Sequence, residues 1–488
     1  MTNVSRANVN SGVAVGQQGK GRESPSRFPA YPTYKYSGVE WLGVVPDHWA
    51  VTLLKRGYEV VLGKMLQPEA RRDDDEFLPY LRAANIQLSG VDTVDVKRMW
   101  FCAEEKKSLL LRRGDLLVSE GGDVGRSAIW DFDDEECYFQ NSINRIRSIG
   151  GNNTRFLYFW MMAIKKNGYI DVLCNKSTIA HFTAEKVAAV PLPIPTKTEQ
   201  TQIARFLDHE TVRIDALIEE QQRLIELLKE KRKAVISHAV TKGLDPAVPM
   251  KDSGVKWLGE IPAHWAIKRL KQLVIDAAGI QMGPFGGMLI DLDDSDTGYK
   301  VYGQENTISG NFTSGNRWVA ESRYFALSNY HLEVGDIVLT RKGSLGNCRR
   351  VSLLPQAGII DSDTIRVRVQ EHMMNPDYLE LLLHEAGYIS TQLNLVKRGA
   401  ILSGLNSEII ANLVIVAPPR EDQEELLQKV RTASSKFDQG ISDCEYAVGL
   451  LRERRSALIS AAVTGKIDVR GWQSPANAPT PELAQEAV

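Results

Sequence analysis

Apolar residues from position 203 onward recur at alternating steps of four and three, the spacing of one stripe along an α-helix. The stripe runs through Ile203, Leu207, Ile214, Leu217, Leu224, Leu228 and Val235, with polar residues interposed at 210, 221 and 231. The pattern predicts a helix over about residues 198–237, roughly 60 Å long at 1.5 Å per residue.

A second helix with the same frame is predicted 223 residues later, through Leu426, Val430, Phe437, Leu451 and Leu458. Each helix follows a proline, which cannot sit inside a helix, and ends near a glycine with a neighbouring lysine. We predict that the two helices pack on each other in antiparallel orientation as a coiled coil, and that their polar seam positions set the register. An ordinary helical hairpin inside a core is the alternative.

An internal repeat organises the rest of the chain. Residues 37–55 and 253–271 are identical at 12 of 19 positions, including the pattern W-L-G-x-[VI]-P-x-H-W. Further on, G-D-L-L-V-S at 114–119 matches G-D-I-V-L-T at 335–340. The protein is therefore predicted to be two copies of one module of about 220 residues, related by a pseudo-twofold axis.

Each copy contains β-rich runs and short helices between the tryptophan motif and its long helix. The predicted fold class is α+β, with two target-recognition domains of twisted, mainly antiparallel sheet plus short helices, separated by the two long antiparallel helices. The predicted boundaries are a disordered leader (1–30), domain 1 (31–195), a central helical spacer (196–245), domain 2 (246–418), a C-terminal helical spacer (419–468) and a flexible tail (469–488).

Composition narrows the function classes only slightly. The formal net charge of −2 argues against a non-specific electrostatic DNA binder, so any DNA contact must come from local basic patches. Five scattered cysteines without zinc-ligand spacing indicate free thiols in a reducing compartment. With neither a long apolar run nor a signal-like N-terminus, we expect a cytoplasmic protein of a bacterium or archaeon.

Sequence motifs of catalysis are missing. The chain lacks the Asn/Asp/Ser-Pro-Pro-aromatic tetrapeptide of adenine methyltransferases, a P-loop, H-E-x-x-H and G-x-S-x-G. Asp115 and Asp336 of the G-D-[LI]-[LV] runs are interpreted as turn formers, and His48 and His264 as packing residues beside the tryptophans. We therefore expect no catalytic centre and no metal site.

Several motifs resemble those of type I restriction–modification specificity subunits. They are the tryptophan motif, the glycine turn after G-D-[LI]-[LV], the runs Q-N-S-I-N-R-I-R at 140–147 and S-T-I-A-H-F-T at 177–183, and P-x-x-x-E-Q-x-x-I opening a long helix. The resemblance covers about residues 34–468. Copy 2 departs from the pattern, with Asp422-Gln423 in place of Glu-Gln and R-G-A-I-L at 398–402 in place of the S-T-I-A-H run.

The resemblance implies a non-catalytic DNA-binding subunit. Each domain would bind one half of a bipartite, asymmetric site in double-stranded DNA, and the helices would hold the domains apart. The implied partners are two methylase subunits, which use S-adenosylmethionine to methylate adenine, and motor-nuclease subunits, which use ATP and Mg. The subunit itself would bind no cofactor. A coiled-coil scaffold that binds proteins without DNA specificity is the alternative function.

Side-chain chemistry narrows the candidate contacts within the family's loop regions, because Arg suits guanine, Asn and Gln suit adenine, and Lys suits phosphate. The DNA-binding candidates are Arg82, Asn85, Gln87, Arg126, Asn144, Lys176 and Ser177 in copy 1, and Gln304, Asn306, Arg341, Lys342, Asn347 and Arg398 in copy 2. The apolar residues of the two helical stripes, except Val235, are the candidates for the helix seam or for partner docking.

Overall fold

The computed structural model describes residues 28–133, 135–174, 181–289, 298–342, 347–399 and 404–474, with the backbone alone described for 396–399. The chain divides into two compact units. Unit 1 comprises the residues up to Glu219 and those from Gly449 onward, and unit 2 comprises Glu220–Val448. Each unit holds one globular part and a portion of each long helix. The predicted leader and tail segments 1–27 and 475–488 lie outside the described residues.

Unit 1 contains thirteen strands and five helices among its described residues, counting the long helix that continues into unit 2. The strands are β1 (Tyr34–Tyr36), β2 (Val44–Pro46), β3 (Ala50–Leu53), β4 (Tyr58–Leu62), β5 (Glu76–Leu81), β6 (Ile86–Gln87), β7 (Gly90–Val91), β8 (Lys97–Phe101), β9 (Leu116–Ser119), β10 (Ser127–Ile129), β11 (Tyr138–Phe139), β12 (Ile143–Ser148) and β13 (Pro191–Ile194). The helices are α1 (Ala103–Leu109), α2 (Thr154–Lys166), α3 (Tyr169–Leu173), α4 (Ala184–Ala188) and α5 (Lys197–Lys242).

Two main sheets form the globular part of unit 1. The first is antiparallel in the order β10-β9-β12-β4, and the second has the order β11-β5-β8, in which β11 runs parallel to β5. All four residues of β9 are buried, as expected for a central strand between apolar layers. One core, around Trp49 and Trp160, joins α2 to the long helices, and a second core, around Trp130, joins the two sheets.

Unit 2 contributes a further twelve strands and six helices among the described residues. The strands are β14 (Met250–Asp252), β15 (Glu260–Pro262), β16 (Ala266–Arg269), β17 (Ile280–Met282), β18 (Tyr299–Tyr302), β19 (Trp318–Val319), β20 (His331–Leu332), β21 (Ile337–Thr340), β22 (Cys348–Arg350), β23 (Gly358–Ile360), β24 (Thr364–Val367) and β25 (Val414–Ala417). The helices are α6 (Gln304–Ser309), α7 (Glu321–Ala326), α8 (Pro376–Glu385), α9 (Gly387–Gly399), α10 (Ser407–Ala411) and α11 (Arg420–Val463), the last of which continues into unit 1.

The two units share one topology. The sheet β22-β21-β24-β17 repeats the order of β10-β9-β12-β4, and β23-β18-β19 repeats β11-β5-β8 with its parallel pair. Unit 2 adds β20 at the edge of its second sheet. The predicted α+β class and the internal repeat are both confirmed.

The long helices differ from the predicted heptad stripe at two leucines. Ile203, Leu207 and Ile214 are buried, but Leu217 and Leu224 are about 40% exposed. A straight helix has 3.6 residues per turn, so a strict seven-residue repeat drifts by about 20° per heptad relative to the buried face. After two and three heptads the stripe has left the seam, and Ile225 is buried in place of Leu224. In the other helix, Leu426 and Val430 are buried, while Phe437, Leu451 and Leu458 are half-buried, like Leu228.

Polar contacts between the two long helices show their antiparallel orientation in unit 1, and one of these contacts has an equivalent in unit 2. In unit 1 Arg455 Nε lies 2.8 Å from Asp215 Oδ1, while Gln202, earlier in α5, donates to the carbonyl oxygen of Val469, beyond the end of α11. In unit 2 Arg232 Nε lies 3.0 Å from Asp438 Oδ1. The two arginines are 223 residues apart, and so are the two aspartates, so the same contact occurs in both copies of the module.

Another ion pair occurs in both units with its polarity reversed. In unit 1 Arg155 of α2 faces Asp208 of α5 at 2.6 Å, and in unit 2 Asp377 of α8 faces Arg431 of α11 at 3.5 Å. The charges have exchanged helices between the copies. In each domain this residue therefore attracts its partner on the long helix of the same copy. It would repel the residue at the equivalent position on the long helix of the other copy.

The reversed pair leads to a stability prediction. Asp208→Arg should destabilise unit 1 by about 1 kcal/mol, because it sets two partly exposed guanidinium groups against each other. Adding Arg155→Asp, which copies the arrangement of unit 2, should restore most of that loss. A double-mutant cycle by denaturant unfolding measures the coupling, and additive effects of the two substitutions would contradict the assignment.

The described helices include none that is both long and apolar enough to cross a lipid bilayer.

Candidate nucleic-acid interface

The aspartate of each G-D-[LI]-[LV] run holds the central strands together. The Asp115 carboxylate accepts two hydrogen bonds from the Arg147 guanidinium, at 2.7 and 2.6 Å, and one from the backbone N–H of Arg112 at 2.8 Å. Asp336 accepts the same set from Arg368 and from the backbone N–H of Glu333. Hydrogen bonding to Asp336 raises the pKa of Arg368. The interpretation of Asp115 and Asp336 as turn formers is confirmed. Each aspartate also forms a salt bridge with an arginine in or just beyond a neighbouring strand, a second role that the sequence did not suggest.

The Glu-Gln and Asp-Gln pairs join each tryptophan motif to its domain. Glu199 lies within 2.9 Å of His48 Nε2 and accepts from the Trp49 indole, while Asp422 accepts from the Trp265 indole and lies 2.8 Å from His264 Nε2. The interpretation of both histidines as packing residues is thus wrong, because each is a polar partner of a carboxylate. Sequence patterns do not report this contact, since the partners are about 150 residues apart.

Gln200 and Gln423, which follow these two carboxylates in the sequence, fix the start of a helix in each domain. Gln200 accepts from the backbone N–H of Asn153, the N-cap residue of α2, and donates to the carbonyl oxygen of Pro195. Gln423 makes the equivalent bonds to Asn375, the N-cap residue of α8, and to Pro418. Both glutamine side chains are buried. The orientation of each domain relative to the adjoining segment of its long helix therefore depends on these contacts.

Four loops meet at the end of the central strands in unit 1. They are residues 82–85, 119–126, 140–142 and 181–182, called here the loop face of unit 1. The backbone N–H of Glu120 donates to Ser142, that of Phe182 donates to Glu120, and that of Ala83 donates to the Ser142 hydroxyl. These bonds bring together chain segments that are up to 100 residues apart.

Unit 2 builds the same loop face from residues 303–306, 340–342 with 347, 361–363 and 404–405. The backbone N–H of Arg341 donates to Asp363, and that of Leu405 donates to Arg341, which repeats the pattern of unit 1. The backbone of Gly404 lies close to that of Arg341, since a Cβ at Gly404 would be 2.0 Å from the Arg341 carbonyl oxygen. A side chain larger than hydrogen cannot be accommodated at this position without moving the loop.

Arg82 and Arg126 of the sequence prediction lie together on the loop face of unit 1. Arg82 forms a salt bridge with Asp95 at 2.8 Å, and Arg126 donates to the carbonyl oxygen of Ala83 at 3.3 Å. Gln87 lies beyond this turn, and its amide donates to Ala84. The Asp95 side chain of this pair is 63% exposed and that of Arg82 is 31% exposed, and solvent-accessible pairs of this kind contribute at most about 1 kcal/mol, so a phosphate could replace the carboxylate at little cost.

Three of the four predicted asparagines are buried beneath the loops. Asn85 and Asn306 are 2% and 1% exposed, and each accepts from the backbone N–H three residues earlier and donates to two loop carbonyl oxygens. Asn144 is fully buried and donates to Phe182. These amides hold the shape of the loops, and their donor groups are already used within the protein.

The remaining candidates of unit 2 surround Arg341. The Arg341 guanidinium donates to Leu405 and Ser362 and lies 5.0 Å above the Phe285 ring, while Lys342 pairs with Asp363 at 2.7 Å. Asn347 borders the same loop, and Gln304 opens α6 with a half-buried side chain. Lys176 and Ser177 lie outside the described residues, as does the side chain of Arg398.

Glu120 is a residue of the loop face that sequence reasoning missed. It occupies the position of Arg341, one residue beyond the equivalent strand, and burial raises the pKa of its carboxyl group, opposed by the charge of His181. The repeat offset of 221 residues between the G-D motifs would have identified the pair. The same position thus carries an acid in one unit and a guanidinium in the other.

Comparison with known proteins supplies the family. Residues 49–229 match the family model described as the type I restriction modification DNA specificity domain. The chain is 23% identical over 448 residues to the EcoKI specificity subunit of Escherichia coli, with 88% of this chain and 92% of that protein covered. By its domain and by its relatives, the chain is similar to type I restriction–modification specificity subunits.

Solved structures agree with this assignment at the level of the fold. A chain from a study of complex assembly in the type I system superimposes with a TM-score of 0.65 at 12% identity, covering 87% of the present chain and 99% of that one. The HsdS subunit of Thermoanaerobacter tengcongensis superimposes with a TM-score of 0.52 at 15% identity, covering 87% and 98%. The likeness extends over both copies of the module and both long helices.

Proposed function

We propose that the two loop faces each bind one half of a bipartite, asymmetric site in double-stranded DNA. Loops at strand ends, closed by tight glycine approaches and bearing Arg, Lys and Gln, suit contacts to phosphates and to base edges in the major groove. The structure of each face is the same, whereas its side chains differ. We therefore expect the two halves of the DNA site to differ in base sequence.

The main support for this proposal is that equivalent positions of the two loop faces carry Glu120 in unit 1 and Arg341 in unit 2. A carboxylate accepts a hydrogen bond from the amino group of cytosine, whereas a guanidinium donates to the O6 and N7 atoms of guanine. Equivalent positions in the two units would therefore select different bases. Asn85, Asn144 and Asn306 act as positioning residues, because their amide N–H groups donate to backbone carbonyl oxygens.

The partners and cofactors follow from the family. We propose that the long helices dock two methylase subunits, which methylate adenine with S-adenosylmethionine, and that motor-nuclease subunits using ATP and Mg join for restriction. The exposed leucines Leu217, Leu224 and Leu227 offer apolar surface for such docking. In this assembly the specificity subunit recognises DNA and carries out none of the chemistry.

Methylome sequencing tests the proposed function. Co-expression with the cognate methylase subunits in a host without adenine methylation should give one bipartite motif methylated on both strands. Replacing residues 41–195 with the domain of a relative should change one half of that motif and leave the other unchanged. An assembled complex without methylation, or a change in both halves, would contradict the proposal.

Lys342 provides a quantitative prediction for DNA affinity. Lys342→Ala should weaken binding to all DNA sequences alike and reduce the slope of log K against log salt by about 1, because one phosphate contact is lost. Lys251→Ala, on the exposed strand β14 and away from the loop face, is the matched control and should leave the slope unchanged. Fluorescence anisotropy at several salt concentrations measures both variants, and equal slopes for the two would remove Lys342 from the interface.

A further inference from the structure

A cavity of about 210 Å³ lies in unit 2 beside the end of α5. Its walls include Leu244, Val248, Pro262, Trp265 and Asp422. Apolar and polar groups line the cavity in about equal parts, with Lys242 and Glu425 among the charged residues, and the Asp422 carboxylate beside Trp265 supplies a hydrogen-bond acceptor. Such a combination suits an aromatic ring that carries one polar group.

The equivalent place in unit 1 holds a tyrosine of the same chain. Tyr31 is 3% exposed, its hydroxyl donates to Glu199 Oε1 at 2.6 Å, and its ring lies edge-on to Trp49 at 5.8 Å. The sequence P-A-Y-P at 29–32 becomes P-A-V-P at 246–249, so that Val248 stands where the pattern has Tyr31. Val248 lines the cavity, and its side chain is smaller than that of a tyrosine.

The two carboxylates also differ in what they accept. Glu199 uses one oxygen for Tyr31 and Trp49 and the other for His48. In unit 2 Trp265 and His264 both approach Asp422 Oδ2, and no described residue donates to Oδ1. Asp422 Oδ1 is thus available to accept a hydrogen bond from a phenol hydroxyl, and no described residue supplies that hydroxyl.

We propose that this cavity binds the side chain of a tyrosine carried by a partner protein, as unit 1 binds its own Tyr31. The volume is sufficient, since a buried cavity of about 150 Å³ admits benzene. Residues of this chain outside the described ranges include no Tyr, Phe or Trp, so those segments cannot supply the ring.

A titration with p-cresol, the side-chain analogue of tyrosine, tests the cavity. The indole N–H signal of Trp265 should shift saturably in NMR spectra, with a Kd of roughly millimolar size as expected for a ligand of eight heavy atoms. The Trp49 signal should stay in place because Tyr31 already fills its site. Val248→Tyr should abolish the Trp265 response and raise the melting temperature of unit 2 by a few degrees.

Tyr31→Ala is the matched control in the same chain. It should make the Trp49 signal respond to p-cresol, which demonstrates that the assay detects a site of this kind. A response at Trp49 in this variant without a response at Trp265 in the native protein would overturn the proposal. If Tyr31→Ala does not fold, an unchanged or lowered melting temperature for Val248→Tyr overturns it instead.

A second measurement tests the source of the tyrosine and rests on the proposed function. In a complex reconstituted with the cognate methylase subunits, p-cresol should no longer shift the Trp265 signal, and Val248→Tyr should weaken assembly several-fold. Continued p-cresol binding in the assembled complex would overturn the assignment to a partner. The methylated DNA motif, read in parallel, reports separately whether the proposed DNA function holds.

Discussion

Asp115→Asn is expected to destabilise unit 1 by about 3 kcal/mol, and Asp336→Asn to have the same effect on unit 2. Each aspartate is almost fully buried and accepts two hydrogen bonds from one arginine and one from the backbone. A neutral amide keeps the shape but removes the buried counter-charge of Arg147 or Arg368, of which Arg368 retains only its contact with the exposed Glu333. The estimate lies at the lower end for a broken buried pair because both arginines are about one quarter exposed.

Hydrogen exchange followed by mass spectrometry measures this effect in each unit separately. Asp115→Asn should speed exchange in β9 and β12, and Asp336→Asn should do so in β21 and β24. Asp123→Asn is the control, since Asp123 is half exposed and its pairing with Lys165 should contribute less than about 1 kcal/mol. If Asp123→Asn and Asp115→Asn speed hydrogen exchange in β9 and β12 equally, the pairing of Asp115 with Arg147 is not a main support of the sheet.

Gln423→Ala should destabilise unit 2 by about 2–4 kcal/mol, and Gln200→Ala should do the same in unit 1. The Gln423 side chain is fully buried and serves the N–H of Asn375 and the carbonyl oxygens of Met373 and Pro418 at 2.8–2.9 Å. Truncation leaves these groups without partners and loosens the N-cap of α8, which itself contributes about 1 kcal/mol.

Denaturant unfolding of Gln423→Ala can be compared with that of Gln428→Ala, five residues further along the same helix. Gln428 is exposed, so its truncation should change stability by less than about 0.5 kcal/mol. The functional consequence should be a weaker preference for the second half-site, because the domain is no longer held rigidly on its helix. A loss of stability without any loss of half-site selectivity would separate the fold from the proposed function.

Much of the architecture follows from local pattern. The repeat, both long helices and the buried strands at the G-D motifs are visible in the sequence, since each depends on the spacing of apolar residues or on residue identity. The short helices expected in each copy are present, among them α2 and α8. The strict heptad frame was less accurate, because an error of a tenth of a residue per turn accumulates along a long helix and places Leu217 and Leu224 outside the seam.

The candidate site was predictable by region and less so by side chain. Arg82, Arg126, Arg341 and Lys342 lie on the loop faces, but three of the four asparagines proposed beside them are buried. Residue type alone does not distinguish an amide that holds a loop from one that faces a ligand. Glu120 was missed for the opposite reason, since its importance appears only when it is compared with Arg341 in the second unit.

The sequence by itself determined that this protein has two copies of one module, two long helices and two unlike sets of loop residues, because periodicity and repetition are properties of the chain. Only the tertiary structure decided which groups meet. The contacts of Asp115 with Arg147, of Glu199 with His48 and of Tyr31 with Glu199 join residues 32 to 168 positions apart. Such contacts depend on how the sheets and helices pack, and no local pattern encodes that packing.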